Sequence, residues 1–73
     1  MRAVEIHTEP VELFKILKFE GMVASGGEAK QVIDAGEVRV NGEVETRRRR
    51  KIRAGDTIKF AGETLVIRLQ MPV

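Results

Sequence analysis

The chain has 73 residues, the length of one small domain, and lacks cysteine, which excludes disulfides and thiolate metal sites. Thirteen basic and eleven acidic side chains give a net charge of only +2, yet six of the basic ones fall between residues 47 and 53. Such local clustering is typical of a surface that binds a polyanion. With no apolar signal segment and no membrane-length apolar run, we expect a cytoplasmic protein.

The first predicted elements are a short strand and a helix. Residues 3–7 alternate apolar and polar side chains, which predicts a strand. Residues 10–20 place leucine and isoleucine on one side of a 3.6-residue period, which predicts an amphipathic helix. Pro10 is tolerated in the first turn of such a helix, and Gly21 is suited to end it.

The second predicted helix begins at a capping box. Ser25 and Glu28 have the spacing at which the serine caps the helix and the glutamate reaches back. An apolar stripe from residue 29 to residue 33 follows, and Gly36 ends the helix. Gly26 and Gly27 leave the first-turn amides open to an anion, or they only ease the turn between the helices; both interpretations stay open.

The second half of the chain predicts two hairpins joined by a basic connector. Residues 37–45 form the first hairpin around Asn41-Gly42, the preferred pair for a type I′ turn. Residues 57–60 and 64–69 form the second, and residues 70–73 are expected to fray. Because strands bound the basic run and Ile52 can anchor it, we predict a tethered loop. Its like charges would repel one another until an anion or a partner binds.

The order strand, helix, helix, hairpin, connector, hairpin predicts an α+β fold. Two helices pack on a small, mostly antiparallel sheet, and the chain forms one domain over residues 1–73.

Residues 13–56 resemble the RNA-binding domain named after small-subunit ribosomal protein S-four. The matching motifs are a leucine-rich first helix, a Ser-x-x-x-Ala-x-x-x-Ile second helix from Ser25, a Gly-x-Val-x-Val-Asn-Gly hairpin from Gly36, and a Gly-Asp turn at Gly55. The chain is most similar to the small stand-alone bacterial subgroup. The resemblance implies the S-four-like (alpha-L) fold and RNA as the partner. Gly26 stands where many members place an arginine that contacts RNA, so that contact is absent.

In this family the exposed side of the helix pair and the adjacent hairpin bind RNA. The resemblance and the basic connector together give the candidate RNA-binding residues: Lys15, Lys18, Ser25, Gly26, Gly27, Lys30, Gln31, Arg39, Arg47, Arg48, Arg49, Arg50, Lys51 and Arg53. We expect the start of the second helix to bind one phosphate beside Lys18 and Lys30. The arginines would follow a neighbouring strand through bidentate contacts.

The aromatic content points to folded RNA. The chain has no tryptophan or tyrosine, and its three phenylalanines, including Phe19 at the edge of the first apolar stripe, fall at positions compatible with the core. Proteins that bind single strands stack bases on exposed aromatic rings, which this chain would lack. Gln31 and Asn41 are candidates for base contacts, although the turn already explains Asn41.

Nothing in the sequence predicts catalysis, a metal or a cofactor. His7 is the only histidine, and no cysteine or second histidine is present to complete a metal or nucleophilic site. Two alternatives to RNA remain open: an acidic protein that docks on the arginines, and duplex DNA. DNA is disfavoured because neither helix carries the set of base-reading side chains that a major-groove reader needs. We expect a monomer.

Overall fold

Two helices and seven short strands succeed one another along residues 1–70, the part of the chain that the computed structural model describes. The elements are β1 (Arg2–Ile6), β2 (Val11–Glu12), α1 (Leu13–Phe19), α2 (Gly26–Asp34), β3 (Arg39–Val40), β4 (Glu43–Val44), β5 (Lys51–Ile52), β6 (Thr57–Phe60) and β7 (Glu63–Leu69). The predicted α+β class is confirmed.

Five of the strands form the main sheet in the order β1-β7-β6-β3-β4. Neighbouring strands run antiparallel, except that β1 pairs with β7 in parallel, with Val4 opposite Ile67. The other two strands form a separate antiparallel ribbon in which Val11 lies opposite Ile52. The sheet is therefore mostly antiparallel, as predicted, and the ribbon is an addition that the sequence did not predict.

One apolar core joins the helices to the sheet. Leu17 of α1 and Ile33 of α2 are fully buried in the same cluster as Ile58 and Leu65 of the sheet. Ile52 is also fully buried, so the ribbon is anchored to the core as predicted. Burial of these side chains is the main stabilising term for so short a chain.

The first helix begins at Leu13, so the prediction that it starts at Pro10 is wrong. Residues 11–12 pair with β5 instead, and this extended pairing excludes helical backbone there. The amides of Leu13 and Phe14 then donate to the carbonyls of Arg50 and Arg48, at 2.9 and 3.2 Å. Backbone from the connector thus satisfies two of the free amides at the start of α1.

The second helix is close to its prediction. The Ser25 hydroxyl accepts from the Glu28 amide at 3.1 Å, while the Glu28 carboxylate accepts from the Ala24 amide at 3.0 Å. The carboxylate therefore reaches one residue beyond the cap. Gly21 and Gly36 follow the two helices with φ of 69° and 77°, as their positions predicted.

The Asn41-Gly42 turn also forms as predicted, with φ of 53° and 85° at its two residues. The Asn41 side chain accepts from the Thr57 amide at 2.9 Å and donates to the Asp56 carboxylate at 3.0 Å. Asn41 therefore connects the first hairpin to the Gly55-Asp56 turn. Its amide is committed to the fold, which argues against a base-reading role.

Phe19 is 69% exposed, so the prediction that all three phenylalanines are core residues is wrong. Leu13, Ile16 and Leu17 fill the buried face of the seven-residue helix α1. Phe19 follows Leu17 by two positions and therefore points to the opposite side. Beyond β7, the Gln70 amide donates to the Ile6 carbonyl at 2.8 Å, and the fraying expected for residues 71–73 lies outside the described residues.

Candidate nucleic-acid interface

The basic connector is an ordered loop, which we call the arginine loop (residues 46–50). The Glu45 amide before it donates to the Val38 carbonyl at 2.9 Å, and Lys51–Ile52 after it pair with β2. Two of its carbonyls accept from the first amides of α1. The loop is therefore held against the start of α1 at several points along its backbone, in agreement with the predicted tethered loop.

A buried carboxylate lies under the arginine loop. Glu45 is 6% exposed and accepts from the backbone amide, Nε and Nη2 of Arg47, at 3.0, 3.0 and 2.9 Å. Arg50 Nη1 donates to the same carboxylate at 2.7 Å. The Arg47 side-chain hydrogen bonds, which outweigh the opposing effect of burial, lower the pKa of Glu45 to about 2. These four hydrogen bonds fix the backbone at Arg47 and the guanidinium groups of Arg47 and Arg50.

The remaining two arginines of the loop also have acidic neighbours. Arg48 binds the carboxylate of Asp34, the last residue of α2, through Nε at 3.0 and 3.1 Å and through Nη2. These bonds lower the pKa of Asp34 and raise the pKa of Arg48. Arg49 Nε lies 3.7 Å from Glu12. The chain's own carboxylates therefore relieve part of the repulsion expected within the loop, since three acids face its four arginines.

The loop nevertheless presents an open, positively charged surface. A depression of about 440 Å³, which we call the cationic groove, is lined by Arg47, Arg49, Arg50 and Lys51. The side chains of Arg47 and Arg49 are 71% and 76% exposed. Because a guanidinium has five N–H donors, Arg47 and Arg50 keep donors free after binding Glu45. The groove can therefore accept phosphate oxygens.

A second cluster of predicted residues surrounds the ring of Phe14. Lys30 Nζ lies 4.9 Å and Lys15 Nζ lies 5.9 Å from the ring centroid, within cation–π range. Gly26 adjoins the same ring, since a Cβ added there would lie 3.9 Å from it. The Phe14 amide also donates to the Arg48 carbonyl. Phe14 therefore joins the start of α2 to the arginine loop.

Other predicted residues are exposed but are not joined to these two clusters by any contact described along residues 1–70. Lys18 and Gln31 lie on exposed faces of α1 and α2. Arg39 lies in β3, where its Nη1 donates to the Gly42 carbonyl at 3.2 Å. The exposed residues Gly27 and Arg53 complete this group. The Ser25 hydroxyl is already used as a helix cap.

The role of Glu45 was not predicted from the sequence. A glutamate two positions before the first of four arginines is nevertheless a signal for a local ion pair. No group of three or more histidine or acidic side chains within the described part of the chain could hold a metal ion. Likewise, none of the helices described is long and apolar enough to cross a membrane.

Comparison with known proteins gives consistent matches. The family model described as S4 domain matches residues 4–68. YbcJ of Escherichia coli K12, which carries the provisional name of an RNA-binding protein, is 51% identical over 78% of this chain and 81% of its own. RlbA of Bacillus subtilis 168, provisionally named a ribosome maturation protein, is 39% identical over 81% of this chain and 83% of its own.

The fold is matched as well. The solution structure of E. coli YbcJ, with an alfaL motif involved in RNA binding, superposes with a TM-score of 0.71 at 45% identity. The match covers 93% of this chain and 87% of that one. None of these names is that of an enzyme, in agreement with the prediction of a non-catalytic protein.

Proposed function

Because this chain belongs to the S4 domain family, we propose that it binds folded RNA, with the cationic groove and the cluster around Phe14 as its contact surface. The single observation that carries this proposal is the groove itself, whose four lining residues are all cations. Arginine binds phosphate bidentately and lysine binds it as a point charge. Both features suit recognition of a sugar–phosphate backbone.

The buried Glu45 supports a contact that depends on shape. It holds Arg47 and Arg50 in one arrangement before any RNA binds, so less side-chain freedom is lost on association. The same pairing lowers the number of free positive charges. We therefore infer that the groove binds a folded RNA, such as a stem-loop or junction whose backbone fits its shape, more tightly than an unstructured polyanion of equal charge.

We further propose that the RNA is ribosomal, that the protein acts as a monomer in the cytoplasm, and that it contributes to ribosome maturation. The name of the B. subtilis relative supports the ribosomal assignment. Crosslinking in cells, followed by sequencing of the bound RNA, tests it. Recovery of ribosomal RNA fragments is the expected result, and recovery of other transcripts alone would contradict the assignment.

The groove is tested by variants that leave Glu45 paired. Replacing all four arginines would strand that buried carboxylate and confuse unfolding with lost binding. Arg49→Gln and Lys51→Gln avoid this, because neither side chain bonds to Glu45 in the described structure. Each is expected to weaken binding of the crosslinked RNA fragment about three- to tenfold, with a salt slope smaller by about 1.

Arg68→Gln is the matched control, since it removes one exposed positive charge from β7, outside both clusters. It is expected to change affinity less than twofold. Equal losses in all three variants would indicate only general charge attraction. If the groove variants instead lost an acidic protein in pull-downs that survive nuclease treatment, the alternative of a protein partner would replace RNA.

A further inference from the structure

The open face of the main sheet, which is turned away from the helices, carries two cations side by side. Arg39 of β3 and Lys59 of β6 are directly opposite each other in the antiparallel register, and both are exposed. Residues opposite each other point to the same face, with Cβ atoms about 5 Å apart. The next pair of this register, Val40 and Ile58, is buried in the core, so alternation turns Arg39 and Lys59 outwards. We call these two residues the open-face pair.

The open-face pair has no acidic partner among residues 1–70. Glu5 is the only acid at the strand positions that face outwards in that part of the chain, and it lies opposite Arg68. Glu37 precedes β3, but neither it nor another described acid forms an ion pair with Arg39 or Lys59. Because like charges directly opposite each other destabilise a sheet, an anion bound between them would relieve the repulsion.

The open-face pair offers one oriented donor group and one point charge. Arg39 Nη1 donates to the Gly42 carbonyl at 3.2 Å, which holds the guanidinium beside the hairpin turn and leaves its other N–H groups for a ligand. Lys59 adds an ammonium group across the ladder, and Thr64 lies opposite Lys59 on β7 with a hydroxyl on the same face. A guanidinium, an ammonium and a hydroxyl all bind phosphate oxygens.

We propose that the open-face pair binds phosphates of a second backbone segment of the folded RNA that occupies the cationic groove. This inference rests on the proposed function and extends it by a second surface and by Lys59, a residue outside the candidates that the sequence gave. Each phosphate neutralised by the pair would release counterions, as at the groove. The RNA would thus contact the protein at two separate places.

The open-face pair and the arginine loop are joined through β4. Val44 lies opposite Arg39 on the same face and is 50% exposed, and the loop begins two residues later. Three peptide units separate Val44 from Arg47, so the Cα atoms of Arg39 and Arg47 are at most about 17 Å apart. One folded RNA can therefore reach both surfaces without a change in the fold.

The composition of the open face favours RNA over a protein partner. Its outward strand positions carry no aromatic side chain in the described chain, whereas protein interfaces are centred on large buried anchors. Contact with a phosphate needs only charge and hydrogen-bond donors. Arg68, the third cation on this face, has Glu5 directly across the ladder and therefore attracts phosphate less than the pair does.

The test uses the full chain and the crosslinked RNA fragment. In an NMR titration, the amides of Arg39 and Lys59 are expected to shift together with those of residues 46–51. In fluorescence anisotropy, Lys59→Gln should weaken binding about two- to fivefold, with a salt slope smaller by about 1. Arg68→Gln, the matched control on the same face, should change affinity less than twofold.

Lys59→Glu separates binding from folding. It turns the like-charged pair into a cross-strand ion pair with Arg39, so the midpoint of urea unfolding should be unchanged or higher. RNA affinity should nevertheless fall about tenfold or more, because a phosphate then meets a carboxylate. A lower midpoint together with normal affinity of the folded fraction would assign Lys59 a structural role and overturn the proposal.

The outcomes distinguish this inference from RNA binding by the cationic groove. If the fragment shifts residues 46–51 but leaves Arg39 and Lys59 unmoved, the open-face contact is wrong and the groove stands. If only Arg39 and Lys59 shift, the groove is wrong and the open-face contact stands. No shift at either surface overturns both. If a blocked polyglutamate peptide shifts the pair at lower concentration than the RNA does, an acidic protein segment replaces RNA as the ligand of the pair.

Discussion

The buried carboxylate of Glu45 accepts three hydrogen bonds from Arg47, two from its guanidinium and one from its backbone amide. Arg50 adds a fourth from the far end of the loop. A single acidic side chain therefore sets the backbone path of the arginine loop and the direction of two of its guanidinium groups. The loop's shape is a property of the folded protein, present before any ligand binds.

Glu45→Gln should destabilise the fold by about 2 kcal/mol at pH 7, the usual worth of hydrogen bonds to a charged group. The substitution keeps the size of the side chain and removes the charge that Arg47 and Arg50 compensate. Urea unfolding measures the change. Glu43→Gln is the matched control, because Glu43 is exposed and its replacement should change stability by less than about 0.5 kcal/mol. Equal effects of the two variants would contradict the role assigned to Glu45.

The same carboxylate makes stability depend on pH. The pKa of Glu45 is about 2 in the folded chain against an ordinary value of 4.5, so the folded state favours the ionised form. Its contribution is therefore fully present above pH 4.5 and is lost as the pH falls towards 2. Thermal unfolding between about pH 5 and pH 2 should show a smaller loss of stability in Glu45→Gln than in the parent chain. Parallel curves would argue against the lowered pKa.

Asp34→Asn should tighten RNA binding about two- to fivefold. The substitution removes the carboxylate that holds Arg48 and leaves its guanidinium available to a phosphate. Fluorescence anisotropy against the crosslinked RNA fragment measures the gain. Glu63→Gln, which removes an exposed acid in β7, is the control for net charge. When Arg48→Gln is already present, Asp34→Asn should raise RNA affinity no more than Glu63→Gln does. A larger increase would mean that Arg48 is not the group that the substitution releases.

Asn41→Ala should destabilise the fold by about 1–3 kcal/mol, since it removes the side-chain hydrogen bonds to Asp56 and Thr57 and puts alanine at a φ of 53°. Asn41→Gly loses the bonds but suits the turn, so its cost should be smaller. RNA affinity of the folded fraction should be unchanged in both variants. A tenfold loss of affinity in the glycine variant would instead assign Asn41 to base recognition.

Lys30→Gln should weaken RNA binding about threefold, because Lys30 brings a positive charge to the start of α2 beside Phe14. Phe14→Leu keeps apolar packing there and removes the ring that Lys30 lies over, so a smaller loss is expected. RNA titrations at two salt concentrations distinguish the two variants, because only Lys30→Gln removes a charge and should make RNA affinity less dependent on salt. A larger effect from the leucine variant would point to base stacking on Phe14.

Local signals predicted the parts of the fold that local chemistry determines. The serine cap of α2, its glycine stop and the Asn41-Gly42 turn each depend on residues within a few positions of one another. The basic loop is likewise predictable from the sequence, because its positive charges are consecutive residues. The hydrophobic periodicity gave the correct class because it records which face of each element is buried.

The remaining features depend on contacts between distant segments. β2 is only two residues long and becomes a strand through Lys51–Ile52, about forty positions away. The Arg48–Asp34 pair joins the loop to the end of α2, and a local sequence pattern cannot predict it because the two residues are 14 positions apart. Phe19 was expected in the core because of its type, but it follows the buried Leu17 by two positions and therefore lies on the exposed side of α1.

The most direct test of RNA binding through the arginine loop is an NMR map of the RNA contact on the full chain. We predict that the crosslinked RNA fragment shifts the amides of residues 46–51 and of Lys30. The double variant Arg49→Gln, Lys51→Gln should need about ten- to a hundredfold more RNA to reach the same shifts, with the spectrum of the free protein retained. Shifts confined to the outer strands of the main sheet, with residues 46–51 unmoved at saturating RNA, would contradict it.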